Sequence, residues 1–205
     1  MNTASLTGQL LAHLQGAPLQ QVSRQLGIEP AQAAGAVSAA LPLLMGALGS
    51  NTAQPQGAQA LLDALQNNHG GLDIGSVLDS VLAGARGSPQ TDGAGILGHI
   101  FGGSQPRAEA GLAQATGLST DHSSQLLKIL APVVMAFIAQ RISSGGQANA
   151  SELGRMLGQE KQAVTRHGGI GGSLLGKVMD QDGDGRFGAS DLIRLGSGLL
   201  GSGKR

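Results

Sequence analysis

The chain has 205 residues, enough for one domain or two small ones, and its formal net charge at pH 7 is zero. It contains no cysteine, so disulfides and thiolate chemistry are excluded. Its aromatic side chains are three phenylalanines, without tyrosine or tryptophan, whereas glycine occurs 35 times. A core of this composition requires Ala, Leu, Ile and Val on helices that pack closely together.

Helical periodicity begins near the N-terminus, where Leu6, Leu10, Leu11 and Leu14 recur at helical spacing. The stretch 1–14 lacks the basic region and the continuous apolar run of a secretion signal. We therefore expect a cytoplasmic location by default, with export by a non-standard route as the alternative.

A helix-turn-helix is predicted around Gly27, with Pro30 as the first residue of its second helix. Residues 112–123 repeat the pattern, and the segment that begins at Ser119 offers a cap for the matching helix. A reader of DNA needs cations that contact phosphates. No Lys or Arg occurs between Arg24 and Arg86. The pattern therefore predicts the geometry of this motif without binding to nucleic acid.

Two runs of the chain are strongly apolar, and each contains a proline, Pro42 in the first and Pro132 in the second. Each proline predicts either a new helix start or a sharp bend. The most apolar stretches, 36–49 and 129–139, are interrupted by these prolines and are too short to cross a bilayer, so no membrane span is expected.

These features recur along the chain, which indicates an internal repeat. Three pairs of residues recur 90 positions apart: Gly27 and Gly117, Pro42 and Pro132, and Met45 and Met135. The two His-Gly-Gly elements, at His69 and His167, are 98 positions apart. No strand pattern is present, so we predict an all-α fold of two tandem helical units.

The predicted units are 1–83 and 107–167, joined by a glycine-rich stretch at 84–106 that contains a short apolar helix near 95–101. The remainder, 168–205, is predicted to be a hinge at 168–172 followed by a metal-binding segment. The five histidines lack the spacing of a zinc site. Serines lack a partnered base, so we expect no enzymatic activity.

Two motifs lie within 25–48, Gln25-x-Gly-Ile and Leu-Pro-Leu-Leu-Met-Gly-Ala-Leu, and a third, Gly-Ile-Leu-Gly-His-Ile-Phe-Gly-Gly, lies at 95–103. These motifs resemble those of the YidB-like bacterial proteins of unknown function. The resemblance covers about residues 5–180. It implies an all-helical fold and a bacterial source, and it implies no catalytic residues.

Residues 180–191, Asp-Gln-Asp-Gly-Asp-Gly-Arg-Phe-Gly-Ala-Ser-Asp, have the acidic spacing of a calcium loop. Side chains at positions 1, 3 and 5 converge on one side of a tight turn, and the glycine at position 6, Gly185, permits that turn. The predicted ligands are Asp180, Asp182, Asp184, the backbone carbonyl of Arg186, and Asp191.

Position 12 of this loop is Asp191, where most EF-hands have a bidentate glutamate. The shorter carboxylate predicts weaker binding of Ca²⁺, or a site that accepts Mg²⁺. An aspartate here followed by Leu-Ile-Arg-Leu also resembles the calcium segment of dockerin modules, although those carry two segments and this chain has one. The alternative without a metal is a solvated acidic turn.

Taken together, the patterns favour a non-enzymatic calcium-binding interaction protein in which the loop orders short helices at 173–179 and 191–200. A single loop often pairs with a second one, so Phe187 is expected to mediate self-association or contact with a protein partner. The alternatives are a self-assembling scaffold with a purely structural metal loop and, less favoured, a DNA-binding protein.

Overall fold

The computed structural model describes residues 5–69, 73–84, 90–144, 149–167 and 172–176. Within these ranges the chain is helical and forms no strand, which confirms the predicted all-α class. The described α-helices are α1 (Leu6–Leu14), α2 (Ala17–Leu26), α3 (Pro30–Asn51), α4 (Pro55–Ala64), α5 (Ile74–Leu82), α6 (Gly93–Phe101), α7 (Gln105–Thr116), α8 (Thr120–Ser144) and α9 (Ala150–His167).

Three short helical pieces complete the described part. A π-helical turn, Leu65–His69, continues α4, and a 3-10 turn, Gly102–Ser104, links α6 to α7. Residues 172–176 form a further helical turn, which we call the docking turn. Buried nonpolar side chains from each of the helices α1 to α9 and from the docking turn form one hydrophobic cluster. The predicted boundaries between the tandem units, the joint and the C-terminal segment, at residues 83, 106 and 167, stay a prediction.

The two longest helices, α3 and α8, lie at the centre of this cluster. They contain 22 and 25 residues, and both are long and apolar enough to cross a membrane by length and composition. The helices therefore extend beyond the stretches 36–49 and 129–139, and the expected absence of a membrane span stays a prediction. In each helix 72% of the most apolar window is buried inside the protein, as is usual for the core helices of a bundle.

Both prolines lie inside continuous helices, so the expectation of a new helix start at Pro42 and Pro132 was wrong, whereas the alternative, a bend within one long helix, stays a prediction. A proline in a helix interior leaves the carbonyl four residues earlier without its usual donor. In α8 that carbonyl belongs to Lys128, and Gly93 at the start of α6 lies directly against it. A Cβ at position 93 would be 2.7 Å from the Lys128 carbonyl carbon, so only glycine permits this approach.

The predicted helix-turn-helix occurs twice, as α2–α3 and as α7–α8. Each first helix ends at a glycine in the left-handed region, with φ of 66° at Gly27 and 71° at Gly117. Each second helix begins three residues later, at Pro30 and at Thr120. The two pairs are therefore related by the same offset of 90 as the sequence motifs. Duplication of a whole larger unit stays a prediction.

The two helix pairs pack reciprocally. Helix α7 of the second pair lies against α3 of the first, α2 of the first pair lies against α8 of the second, and α3 and α8 contact each other. The short apolar helix predicted near 95–101 is α6, which buries Ile96, Leu97, Ile100 and Phe101 against α8 and α3. The helices of both pairs therefore share a core.

Helix α9 covers α3 and α4, and its contact with α3 is unusually close. A Cβ added to Gly49 of α3 would be 2.5 Å from the carbonyl oxygen of Leu157 and 2.9 Å from the Cβ of Lys161. At the same seam Gly154 of α9 lies against Thr52, and a Cβ added to Gly154 would be 3.3 Å from the carbonyl oxygen of Thr52. The absence of side chains at these two glycines sets the distance between the helices.

We predict that Gly49→Ala lowers the free energy of unfolding by about 1–3 kcal/mol, because the new methyl group collides with backbone that cannot rotate away. Equilibrium unfolding in urea measures the change. Gly35→Ala is the matched control on α3, since nothing lies within 4 Å of its Cβ position. The control should be neutral or stabilise by up to about 1 kcal/mol. Equal stability of both variants would contradict a close α3–α9 seam.

Candidate functional site

The predicted metal ligands lie outside the described residues. This applies to Asp180, Asp182, Asp184, Arg186 and Asp191, and also to Phe187 and most of the predicted flanking helices. Within the described residues, no group of three or more His, Cys, Asp or Glu side chains could hold a metal ion. The calcium loop therefore stays a prediction.

The docking turn is the described part of the chain that is nearest in sequence to the predicted loop. Its two leucines are buried, with 6% of Leu174 and 4% of Leu175 exposed. Leu175 packs on α3 at Gly46, where its Cγ would be 3.2 Å from an added Cβ. The described residues after the predicted hinge at 168–172 therefore form a helical turn that is attached to the core, and the last of them, residue 176, lies four positions before Asp180 in sequence.

A second close contact fixes the start of the docking turn. A Cβ on Gly172 would be 2.6 Å from the carbonyl oxygen of Val164 in the last turn of α9. Helix ends leave their last four carbonyls without partners inside the helix, and chain that folds back over them reduces their exposure to solvent. Residues 172–176 are thus placed by α9 at one end and by α3 at the other.

The most buried charged side chain in the described residues is Glu160 of α9, which is 5% exposed. Its carboxylate oxygens accept hydrogen bonds from the backbone N–H groups of Leu6 and Thr7, both at 2.9 Å. These are the first two residues of α1, which lie more than 150 positions away in sequence. A negative charge at this position also interacts favourably with the positive end of the helix dipole.

Together with Ser5, Glu160 satisfies the start of α1. The Ser5 hydroxyl accepts from the N–H of Gly8 at 3.1 Å, and the Ser5 carbonyl accepts from the N–H of Gln9 at 2.9 Å. Each of the first four donors of the helix then has a partner, which buried helix ends require. This role of Glu160 was not predicted from the sequence, although Glu160 follows Leu153 and Leu157 on the apolar stripe of α9 at helical spacing.

Lys161 lies next to Glu160 and over Gly49 of α3. Burial disfavours its charged form and lowers the pKa of Lys161 below the usual value for lysine. The cause is removal from water at the α3–α9 seam, and the partly buried position agrees with the close approach of its Cβ to Gly49.

The histidines have local structural roles where the structure describes them. The His13 ring centroid lies 6.2 Å from that of Phe137 in α8. The carbonyl of His99 accepts from the Asn51 side chain at 3.2 Å, together with that of Ile100 at 2.8 Å, so Asn51 of α3 caps the end of α6. The Ser119 hydroxyl accepts from the N–H of His122 at 3.1 Å, which confirms the predicted cap of α8.

We predict that Glu160→Ala lowers the free energy of unfolding by about 1.5–3 kcal/mol, because two backbone donors lose a charged acceptor. Glu152→Ala is the matched control: it is exposed on the same helix, 4.0 Å from Arg155, and should change stability by less than about 0.5 kcal/mol. Urea unfolding compares the two. Equal losses would contradict the capping role.

We also predict a pH dependence from Lys161. Because its folded-state pKa is lowered, the unfolded chain binds more protons between that pKa and the unfolded value of about 10.4. Stability should therefore rise with pH through this interval relative to Lys161→Met, in which the group is absent. Urea unfolding at a series of pH values tests this. Parallel profiles for the native chain and the variant would contradict a desolvated Lys161.

Comparison with known proteins identifies the family of the chain. A family model described as "Bacterial protein of unknown function (DUF937)" matches residues 8–141, which is more than half of the chain. The chain belongs to this family. No curated protein and no solved structure matches it. The matched stretch runs from α1 into α8, so α9, the docking turn and the predicted calcium loop lie beyond it.

Proposed function

We propose that this member of the DUF937 family is a non-enzymatic calcium-binding interaction protein. The observation that carries the proposal is the acidic spacing of 180–191, with aspartates at loop positions 1, 3, 5 and 12 and glycine at position 6. The proposed ligands are Asp180, Asp182, Asp184, the Arg186 carbonyl and Asp191. The resemblance to YidB-like proteins rests on motifs inside the matched stretch and concerns the helical body alone.

The position of the docking turn supports the proposal. Leu174 and Leu175 are buried in the core, and the first proposed ligand follows the turn after a short connection. Ion binding by residues that follow this turn in sequence would have a route by which it can change the stability of the core. Proteins that sense calcium use the ion in this manner, through helices that flank the loop.

The choice of ion follows from the ligand at position 12. Asp191 is shorter than glutamate and favours a single carboxylate oxygen as ligand, which weakens Ca²⁺ binding and suits the octahedral geometry of Mg²⁺. In the cytoplasm, which is the expected location, Mg²⁺ would then occupy the loop. Export by a non-standard route would instead expose the loop to Ca²⁺.

A second candidate is a self-assembling scaffold in which the loop has a purely structural role. Small residues on the helices support it, because they permit close packing between copies as they do within the chain at Gly49 and Gly154. Self-association through Phe187 is common to both candidates. A scaffold would keep its oligomeric state in chelator, whereas the calcium-responsive protein would change it.

Nucleic-acid binding is the least favoured function. A recognition helix contacts bases with its first turns, next to cations that contact phosphates. The exposed residues at the start of α3 are Pro30, Ala31 and Gln32, and the first turn of α8 carries the acid Asp121. A protein of this kind would be retained on duplex DNA at low salt, and we expect no retention.

Calcium titration of the native chain by calorimetry, with magnesium at a cellular concentration, tests the proposal. We expect saturable binding of one ion and a change of mass by light scattering. Asp180→Ala/Asp184→Ala should abolish the binding, because two of the converging carboxylates are removed. Asp73→Ala, an acidic residue that caps α5 far from the loop in sequence, is the control. Unchanged affinity in the double variant would contradict the assignment.

A further inference from the structure

The described α-helices and the docking turn form two sets of five that follow each other in the same order. The first half is α1 to α5, and the second half is α6 to α9 followed by the docking turn. The pairs α2–α3 and α7–α8 correspond at an offset of 90, as described above. Helices α1 and α6 correspond at the same offset, with the matching pairs Leu6 and Ile96, Gly8 and Gly98, and Leu10 and Ile100. The nonpolar side chains in these pairs are buried.

The docking turn corresponds to the first part of α5. Residues 75–78, Gly-Ser-Val-Leu, match residues 172–175, Gly-Ser-Leu-Leu, and the nonpolar pair is buried in both segments. The helical segments before them correspond as well, because the π-helical turn after α4 ends at His69 and α9 ends at His167, each at a His-Gly-Gly element. All five members of the first half therefore have a counterpart in the second.

The contacts between the halves are reciprocal. Helix α5 packs on α8, and the docking turn packs on α3. The π-helical turn after α4 packs on α8, and α9 packs on α3. Helices α2 and α8 are in contact, as are their counterparts α7 and α3, while α3 and α4 contact their own counterparts, α8 and α9. This is the pattern of a two-fold pair, in which each contact occurs twice with the halves interchanged.

Each half also completes helix ends that belong to the other half. Glu160 of the second half accepts from the N–H groups of Leu6 and Thr7 at the start of α1. Asn51 of the first half donates to the carbonyl oxygen of Ile100 at the end of α6. Helix α9 has its main packing partners in α3 and α4, which both belong to the first half. The halves are therefore intertwined, and a half by itself would leave polar helix ends and much of its core exposed.

We propose that the surface by which the two halves hold each other is also an interaction surface for a second copy of the chain. Two copies pair by exchanging halves, so that the first half of each packs on the second half of the other. No ion takes part, so this inference goes beyond the proposed function. A second copy supplies every contact that the chain makes with itself, including the occupant of the notch at Gly46, the close seam at Gly49 and the carboxylate of Glu160.

The chemistry of this surface determines when exchange occurs. The surface is nonpolar and includes the buried middle of α3 and α8, which is the character of obligate dimer interfaces. Within one chain, the connection between α5 and α6 holds the halves at an effective concentration on the order of millimolar. The closed single chain is therefore favoured in dilute solution. Exchange is expected when separated halves refold together at a protein concentration that approaches this value.

Two chains with one cysteine each test the exchange, because the native chain contains none. Leu175 of the second half contacts Gly46 of the first. A mixture of a Gly46→Cys chain and a Leu175→Cys chain can therefore form a disulfide between positions 46 and 175 only across two copies. The chains are mixed in urea, refolded together in chelator at about 0.5 mM and at about 1 μM, and oxidised mildly. Mass spectrometry of the digest identifies the linked peptides.

We expect a cross-linked dimer at the higher concentration, and at least about fivefold less of it at the lower one. Gly35→Cys in place of Gly46→Cys is the matched control, since nothing lies within 4 Å of its Cβ position and it lies roughly 16 Å away along α3. The control should give little of the linked product. Mixing the folded chains without urea should also give little, because the halves must separate before they exchange.

Light scattering of the native chain, refolded at the same two concentrations in chelator, gives a readout that does not depend on the cysteine variants. A dimer at the higher concentration, together with the 46–175 link, supports the exchange of halves. A monomer at both concentrations would overturn it. So would dimers that lack the link or form it no more than the Gly35→Cys control, because they associate through another surface, such as the one proposed at Phe187. Since chelator is present throughout, none of these results depends on whether residues 180–191 bind calcium.

Discussion

The close approach of α9 to α3 at Gly49 is the contact on which the remaining arrangement depends. Because position 49 has no side chain, the backbone of α9 near Leu157 lies directly against α3. This places Glu160 at the start of α1 and Lys161 at the seam, and it directs the end of α9 toward the docking turn. The same helix covers α4. One seam therefore determines the positions of the N-terminal helix and the described C-terminal end.

The composition explains why such seams are needed. With three phenylalanines and neither tyrosine nor tryptophan, the chain cannot fill wide gaps between helices with large rings. Glycine and alanine at the contacts of α3, α6 and α9 reduce the gaps instead, so that leucines bury most of their surface. Close packing also excludes water from the helix ends, and Glu160 and Asn51 supply the acceptor and donor groups that water would otherwise supply.

The sequence predicted the features that depend on local chemistry. Periodicity indicated the helices, the glycines at 27 and 117 indicated the turns between paired helices, and Ser119 indicated a cap. It failed where tertiary contacts override local preference. The helices continue through Pro42 and Pro132 because packing in the centre of the bundle offsets the lost hydrogen bonds. The roles of Glu160 and Gly49 depend on partners that are distant in sequence, although the carboxylate on an apolar stripe was a usable signal.

The close seam between α3 and α9 at Gly49 positions the N-terminal helix as well as α9 itself, and its loss should therefore affect both. Hydrogen exchange of the native chain and of Gly49→Ala, followed by mass spectrometry, tests this most directly. We expect faster exchange in Gly49→Ala for peptides that cover α9 and the start of α1, with little change in the buried middle of α8. Identical exchange of α1 and α9 in the two chains would contradict it.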